Sequence, residues 1–195
     1  MTSGQQSAGR GRRRYEPDRR QRLIAVTLDV IAEHGVAGTT HRRVAAAADV
    51  PLGSVTYHFA SLEHLLTSAF THLAETAAAA FDAQMAAIEP GTDARGKVVE
   101  ALLADLADNQ RSAVLAYELY AAAARNPQLR LITQAWMDST RRSLQRHFDP
   151  DTAETLDALI EGLLLHATLS TRPVDPGKIR ASVRRLVPRD VADDR

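Results

Sequence analysis

The stretch THRRVAAAADVPLGSVTYHF, Thr40 to Phe59, holds two short helical patterns with a break between them. Thr40 is a good N-cap for a helix over about His41 to Ala48, because its hydroxyl can accept from a backbone N–H left over at the helix start. DVPLG then reads as a turn, with Pro51 at the entry of a second helix over about Leu52 to His58. Two short helices joined by a few turn residues make the helix-turn-helix pattern, whose second helix lies in the major groove of DNA. That reading accounts for three ring side chains in a row behind a glycine. Val55 and Phe59 stand one turn apart and face inward to anchor the unit. Tyr57 and His58 point elsewhere, where a tyrosine hydroxyl can bond a phosphate oxygen while its ring packs on sugar. Gly53 lets the backbone come close to the DNA.

The pattern extends in both directions. Upstream, Leu23, Val26, Thr27, Val30 and Ile31 form the apolar stripe of a helix from about Pro17 to His34, and Gly35 is expected to end it. Residues 1–14 lack apolar content and read as a basic, disordered tail. Downstream, Ser61 opens a long helix that runs to about Ala87, where IEPG breaks it. Five more helical patterns follow: about Asp93 to Asn109, Ser112 to Arg125, Pro127 to Phe148, Pro150 to Ser170 and Pro176 to Val187. Pro, Asp and Gly punctuate them. No stretch alternates in the manner of a strand. The expected fold is therefore all-α with about nine helices: a three-helix head over 15–60 and a larger helical body over 61–195.

Charge is distributed unevenly along the chain. Residues 1–60 carry nine arginines against five acidic residues, and residues 61–195 carry fifteen basic against nineteen acidic ones, so a net charge of zero conceals a basic front and an acidic rear. Such a molecule presents one end to a polyanion. Thr40, Arg42 and Arg43 open the second helix and are the expected phosphate contacts, since helix starts and guanidinium groups both attract phosphate. Leu52, Ser54 and Thr56 are the candidate base readers.

Other chemistry is thinly represented. The absence of cysteine excludes disulfides and thiolate metal sites. No two of the seven histidines have the i, i+4 spacing of a helical zinc motif, so no metal is expected. Neither a Gly-rich phosphate loop nor a nucleophile elbow occurs, so no cofactor and no enzyme activity are expected. No apolar run nears the ~20 residues that span a bilayer, and no apolar signal segment follows the basic start, which makes the cytoplasm the expected location.

Residues 20–66 resemble the amino-terminal domain of the tetracycline-repressor (TetR) family of transcriptional regulators. The resemblance rests on Ile24, Gly35, Thr40, Val44, Ala45, Gly53, Tyr57, His58, Phe59, Ser61 and Leu65 at the family's spacing. Three positions depart from the pattern. Asp49 stands where the family usually has Gly, Pro51 where it often has Ser, and Leu62 where a phosphate-contacting Lys is common. The tail arginines Arg10 to Arg14 are placed to compensate as a DNA arm. The body is similar to the family in length and helical character alone.

Within the body, Tyr117, Glu118 and Tyr120 interrupt one apolar helix, Trp136 and Met137 lie in the next, and Glu161 and His166 sit in the most apolar run of the chain. These are the candidates for lining a small-molecule pocket between helices. Leu156, Leu159, Ile160, Leu163, Leu164 and Ala167 cover more than one face of their helix, and Ile179, Val183 and Leu186 form a stripe on the last one. A helix apolar on two sides needs a second partner. The resemblance implies that these two helices join two subunits as a four-helix interface. The expectation is thus a homodimeric repressor on a near-palindromic DNA operator, released by a small-molecule effector of unknown identity. The alternatives are a regulator that binds DNA constitutively, and an all-helical enzyme with a vestigial head.

Overall fold

The computed structural model describes residues 18–108 and 110–187. Among them are nine helices and no strand: α1 Arg19–Gly38, α2 His41–Ala47, α3 Leu52–His58, α4 Leu62–Ala86, α5 Ala94–Asp108, α6 Gln110–Ala123, α7 Pro127–Leu144, α8 Pro150–Leu169 and α9 Pro176–Leu186. The expected tail, with Arg10 to Arg14, lies outside the described residues.

Helix starts follow from side-chain chemistry. Thr40 accepts from the Arg43 N–H at 3.1 Å, and Ser61 accepts from the His64 N–H at 3.0 Å. Asn126, Asp149 and Asp175 each cap a helix whose first residue is proline, at Pro127, Pro150 and Pro176. Proline forfeits only an N–H that a first turn leaves unpaired, and its fixed φ suits the helix. The Asn-Pro and Asp-Pro pairs in the sequence are therefore start signals as well as breaks.

The turn between α2 and α3 explains one departure from the family pattern. Val50 N–H reaches back to Ala45 C=O at 3.0 Å and Asp49 N–H to Ala46 C=O at 3.1 Å, which is a Schellman closure of α2. That closure puts Asp49 in the left-handed region at φ 52°, where glycine is usual and aspartate is tolerated. Asp49→Val, branched at Cβ, is expected to cost roughly 1–2 kcal/mol, a fall in melting temperature of about 2–8 °C by calorimetry.

Gly35 ends the first stretch of α1 as expected, its backbone being non-helical (φ 70°, ψ 170°), and a short second helical piece continues across the kink to Gly38. The φ/ψ pair lies in a region that is essentially glycine's alone, so the chain kinks there and Val36 N–H loses its place in the helical ladder.

Three apolar clusters hold the elements. In the head, Leu23, Ile24 and Val30 of α1 meet Val44, Ala45, Val55, Phe59 and Leu65. A second cluster joins Leu28 and Ile31, next round α1 from Leu23 and Val30, to Phe70 and Leu73 of α4, Leu115 and Leu119 of α6, and Leu129 of α7. The third gathers the far ends of α4 and α7 with α5, α8 and α9 around Met85, Leu102, Leu144 and Leu156. α1 thus has two working faces, one seating the head and one packed on the body.

The third cluster corrects the expected subunit interface. Leu156, Ile179 and Val183 are buried in the chain's own core, because the seam between α8 and α9 and α5 closes over them. They have no surface left for a partner. Leu159, Ile160 and Leu163 are half-buried against the same cluster, and Leu186 is exposed. Among the described residues no helix is long and apolar enough to cross a membrane.

Candidate DNA-binding face and ligand cavity

Helix α3 divides its residues between core and solvent. Val55 and Phe59 are completely buried, while Tyr57 is 84% exposed and Leu52, Gly53 and Thr56 also reach solvent. Ser54 and His58 are half-buried. Ser54 Oγ accepts from Arg19 at 3.4 Å, and the His58 ring stands edge-on to Tyr57 at 5.1 Å. Thr56 Oγ1 turns back to Leu52 and Gly53 carbonyls, each at 3.4 Å. At the start of α2, Thr40, Arg42 and Arg43 are exposed, but Thr40 Oγ1 is occupied as the cap and the Arg43 guanidinium donates to Gly38 C=O. Phosphate would therefore compete with Gly38 for Arg43.

The first turn of α1 adds a basic fringe that the sequence reading passed over. Arg22 donates to Ala48 C=O at 2.6 Å, and Arg20 lies over the Phe59 ring at 5.2 Å. The signal was present in the run RRQR, Arg19 to Arg22. It only acquires meaning once the arginines at the start of α1 are seen to reach Ser54, Phe59 and Ala48.

The body holds a cavity, open at its rim, in two lobes. One lobe, of about 550 Å³, lies between α1, α4, α6 and α8. The other, of about 180 Å³, lies between α4, α5, α7 and α8. They meet at Ala77, Ala80, Asp105, Trp136, Glu161 and Leu164. The space exists because α4 presents alanines along this face, too short to fill the gap between neighbouring helices. Aromatic rings wall it: Tyr117 to Tyr120 at 6.4 Å and Tyr120 to Trp136 at 6.1 Å, both tilted.

Its electrostatics are acidic. Tyr120 hydroxyl donates to Glu161 Oε1 at 3.1 Å. Burial pushes the Glu161 carboxyl above the usual carboxylate range, against the lowering effect of the Tyr120 hydrogen bond, and Asp157 and Asp105 push it further. Burial and the adjacent Glu161 likewise hold the Tyr120 phenol protonated. Behind Glu161, buried Asp157 accepts from Arg141 Nε at 2.9 Å; burial raises its carboxyl and Arg141 opposes that. At the rim Arg111 pairs with Asp29 at 2.5 Å.

Of the expected pocket residues, Tyr117, Tyr120, Trp136 and Glu161 line the cavity. Three do not. Glu118 faces away, and its Oε2 accepts from Val36 N–H at 2.7 Å. Met137 is half-buried and His166 exposed, and neither lines either lobe, since each lies on another face of its helix from Trp136 or Glu161. Asp105, His72 and Arg111 line the larger lobe and were missed, being scattered charges on helices with no local motif. A separate groove of about 550 Å³ runs between α4 and α7 on the outer side of Trp136. It opens past the exposed Leu131, so it excludes water less well than the inner cavity.

Comparison with known proteins decides what this two-part layout is. Residues 23–69 match the bacterial regulatory proteins of the tetR family, and residues 90–189 match the tetracyclin repressor-like C-terminal domain. The chain belongs to the tetR family. It is a DNA-binding transcriptional regulator and not an enzyme. Among similar solved structures, one of a candidate transcriptional regulator, SCO7518, from Streptomyces coelicolor A3(2) is 44% identical, covering 88% of this chain and 99% of its own with a TM-score of 0.80. The multidrug binding protein EbrR, solved with imidazole, is 38% identical and covers 92% of this chain and 100% of its own at a TM-score of 0.78. The HTH-type transcriptional regulator BetI of Burkholderia mallei (strain NCTC 10229) is 31% identical over 171 residues, 80% of this chain and 85% of that protein.

Proposed function

We propose that this tetR-family regulator is a homodimeric repressor that leaves its operator when a lipophilic organic cation fills the body cavity. Glu161 carries the reading: a carboxyl half-buried among Tyr117, Tyr120 and Trp136, with a phenol as its described partner. A buried carboxylate is costly without a positive partner, and aromatic faces attract cations. A flat or bulky cation supplies what the site lacks. EbrR supports it, having been solved with ethidium, proflavin and malachite green, all aromatic cations. Titrating the protein with tetraphenylphosphonium and with the neutral triphenylphosphine oxide, read by fluorescence of the sole tryptophan Trp136, tests it. The cation is expected to bind at least tenfold more tightly; equal binding would contradict the assignment.

In this reading residues 15–60 bind DNA, residues 61–195 bind the effector and dimerise, and the protein works in the cytoplasm beside its operator. The dimer contact is the outer stripe of α8, where Ala158, Gly162, Leu165 and Leu169 recur at helical spacing. Leu169 is 69% and Leu165 38% exposed, and a Cβ at Gly162 would meet open space. Exposed leucines around a small residue suit close helix–helix packing, and Leu186 of α9 extends the patch. Two-fold pairing places two α3 helices about one DNA turn, ~34 Å, apart for a near-palindromic site. Leu169→Arg is expected to convert the dimer to monomer in sedimentation velocity and to abolish high-affinity operator binding. A dimer that persists would place the contact elsewhere.

A further inference from the structure

Helix α6 looks two ways. Tyr117 and Tyr120, three residues apart, share the face that lines the cavity. Glu118 is one position on and so points about 100° round the helix, toward α1. There its Oε2 accepts from Val36 N–H at 2.7 Å. That donor is available because Gly35 breaks the α1 ladder. Both Glu118 carboxylate oxygens lie 3.4 Å from where a Gly35 Cβ would stand, an ordinary contact distance, so the glycine is needed for the kink and its φ of 70° rather than for the approach. Leu115 and Leu119, fully buried one turn before and one residue after Glu118, clamp the same two helices through Leu28 and Ile31. The adjoining face of α1 carries Leu23 and Val30, which with Ile24 seat Val55 of the recognition helix and its C-cap Phe59.

We propose that Glu118 is the residue that passes cavity occupancy to the DNA-binding head: it ties α6, whose other face lines the cavity, to the Gly35–Val36 break in α1, whose adjoining face seats the recognition helix. The inference rests on the cavity being the effector site. A ligand that wedges between Tyr117, Tyr120 and Trp136 displaces α6. Through a hydrogen bond to a backbone that is already released from helical pairing, the displacement is handed to α1 at its kink. Apolar packing alone lets helices slide by a fraction of a turn. The directed bond to Val36 fixes one point, so movement of α6 turns the head instead of being absorbed. Glu118 is thus a positioning residue, touching neither DNA nor effector.

The test compares the full-length wild type with Glu118→Ala, Glu118→Asp and Glu118→Gln. Three quantities are measured: operator affinity alone, tetraphenylphosphonium affinity alone, and operator affinity at saturating tetraphenylphosphonium. For the wild type the cation is expected to weaken operator binding by about 5- to 150-fold, the usual range of coupling between sites. In Glu118→Ala each single affinity stays within about threefold of wild type, while the cation's effect on operator affinity falls below twofold. Glu118→Asp withdraws the carboxylate by one methylene and gives the same uncoupling, which decides the matter if the alanine variant does not fold. Glu118→Gln keeps an acceptor oxygen and retains most of the coupling. Full coupling in the Asp or Ala variant overturns the proposal, since a bond of purely structural use would change stability and leave coupling intact. Exchange of the Val36 amide, followed by NMR without any ligand, separates this proposal from the effector assignment. It should rise at least tenfold in the Ala and Asp variants and stay near wild type in the Gln variant. Unchanged exchange overturns the tie even if the cation binds. A wild type that ignores the cation removes the effector class alone, and the Val36 exchange then decides for or against the tie.

Discussion

Replacing Tyr57 with alanine is expected to weaken operator binding by about 100-fold while hardly moving the melting temperature. A hydrogen bond to a charged phosphate oxygen contributes roughly 1.5 kcal/mol, and a dimer loses two of them, so ~3 kcal/mol or about two decades of affinity disappear. The structure is what makes the second half of the prediction firm. Tyr57 is 84% exposed and packs only edge-on against His58. Surface substitutions of this kind stay within ±0.5 kcal/mol of stability. Its neighbours behave oppositely, because Phe59→Ala empties the middle of the head core and is expected to cost roughly 3–5 kcal/mol. Fluorescence anisotropy with labelled operator, paired with calorimetry, distinguishes the two. Operator affinity unchanged by Tyr57→Ala would mean that α3 docks by another face.

Glu161→Gln is expected to stabilise the ligand-free protein and to cripple effector binding. Burial raises the Glu161 carboxyl above its ordinary 4.5, so the folded chain holds that proton more tightly than the unfolded chain. The folded state then binds more protons, and stability falls as pH rises through the window from 4.5 upward. Glutamine keeps an acceptor for the Tyr120 hydroxyl and carries no charge to bury. At pH 7 it is expected to add on the order of 1 kcal/mol, roughly 2–4 °C in melting temperature. Part of the pH slope survives in the variant, because the Asp157 carboxyl is also raised by burial. Cation affinity moves the other way. An organic cation binds the ionised carboxylate, so wild-type affinity climbs with pH through the same window and levels off above it. In Glu161→Gln the affinity is lower by tenfold or more and this climb is lost. A variant that melts lower and binds the cation as tightly as wild type would contradict the account of the cavity.

Much of the head was legible because local chemistry and global role coincide there. Thr40 and Ser61 cap helices in any context, and a two-turn helix has so few positions that burying Val55 and Phe59 commits Tyr57 to solvent. The body was legible in its helices and less so in its directions. Glu118, Tyr117 and Tyr120 share one apolar helix, and nothing local says that the glutamate turns to a kink eighty residues upstream while the tyrosines turn inward. Leu156, Ile179 and Val183 read as surplus apolar surface, yet the packing of α5 and α9 over α8 consumes it. The surface that remains, at Leu165 and Leu169, lies at the end of the same apolar run and was hidden by it. Gly35 is a true stop for the first stretch of α1; what no local signal gave is the short piece after it, whose Val36 N–H is held by Glu118.

The most direct test of the account is the affinity for labelled operator measured with and without tetraphenylphosphonium, at a concentration where Trp136 fluorescence reports a filled cavity and at fixed salt. The account predicts that filling the cavity weakens operator binding by at least fivefold and that the Glu118→Ala protein, though filled, holds its operator as before. Identical operator affinity for the empty and the filled wild-type protein would contradict it.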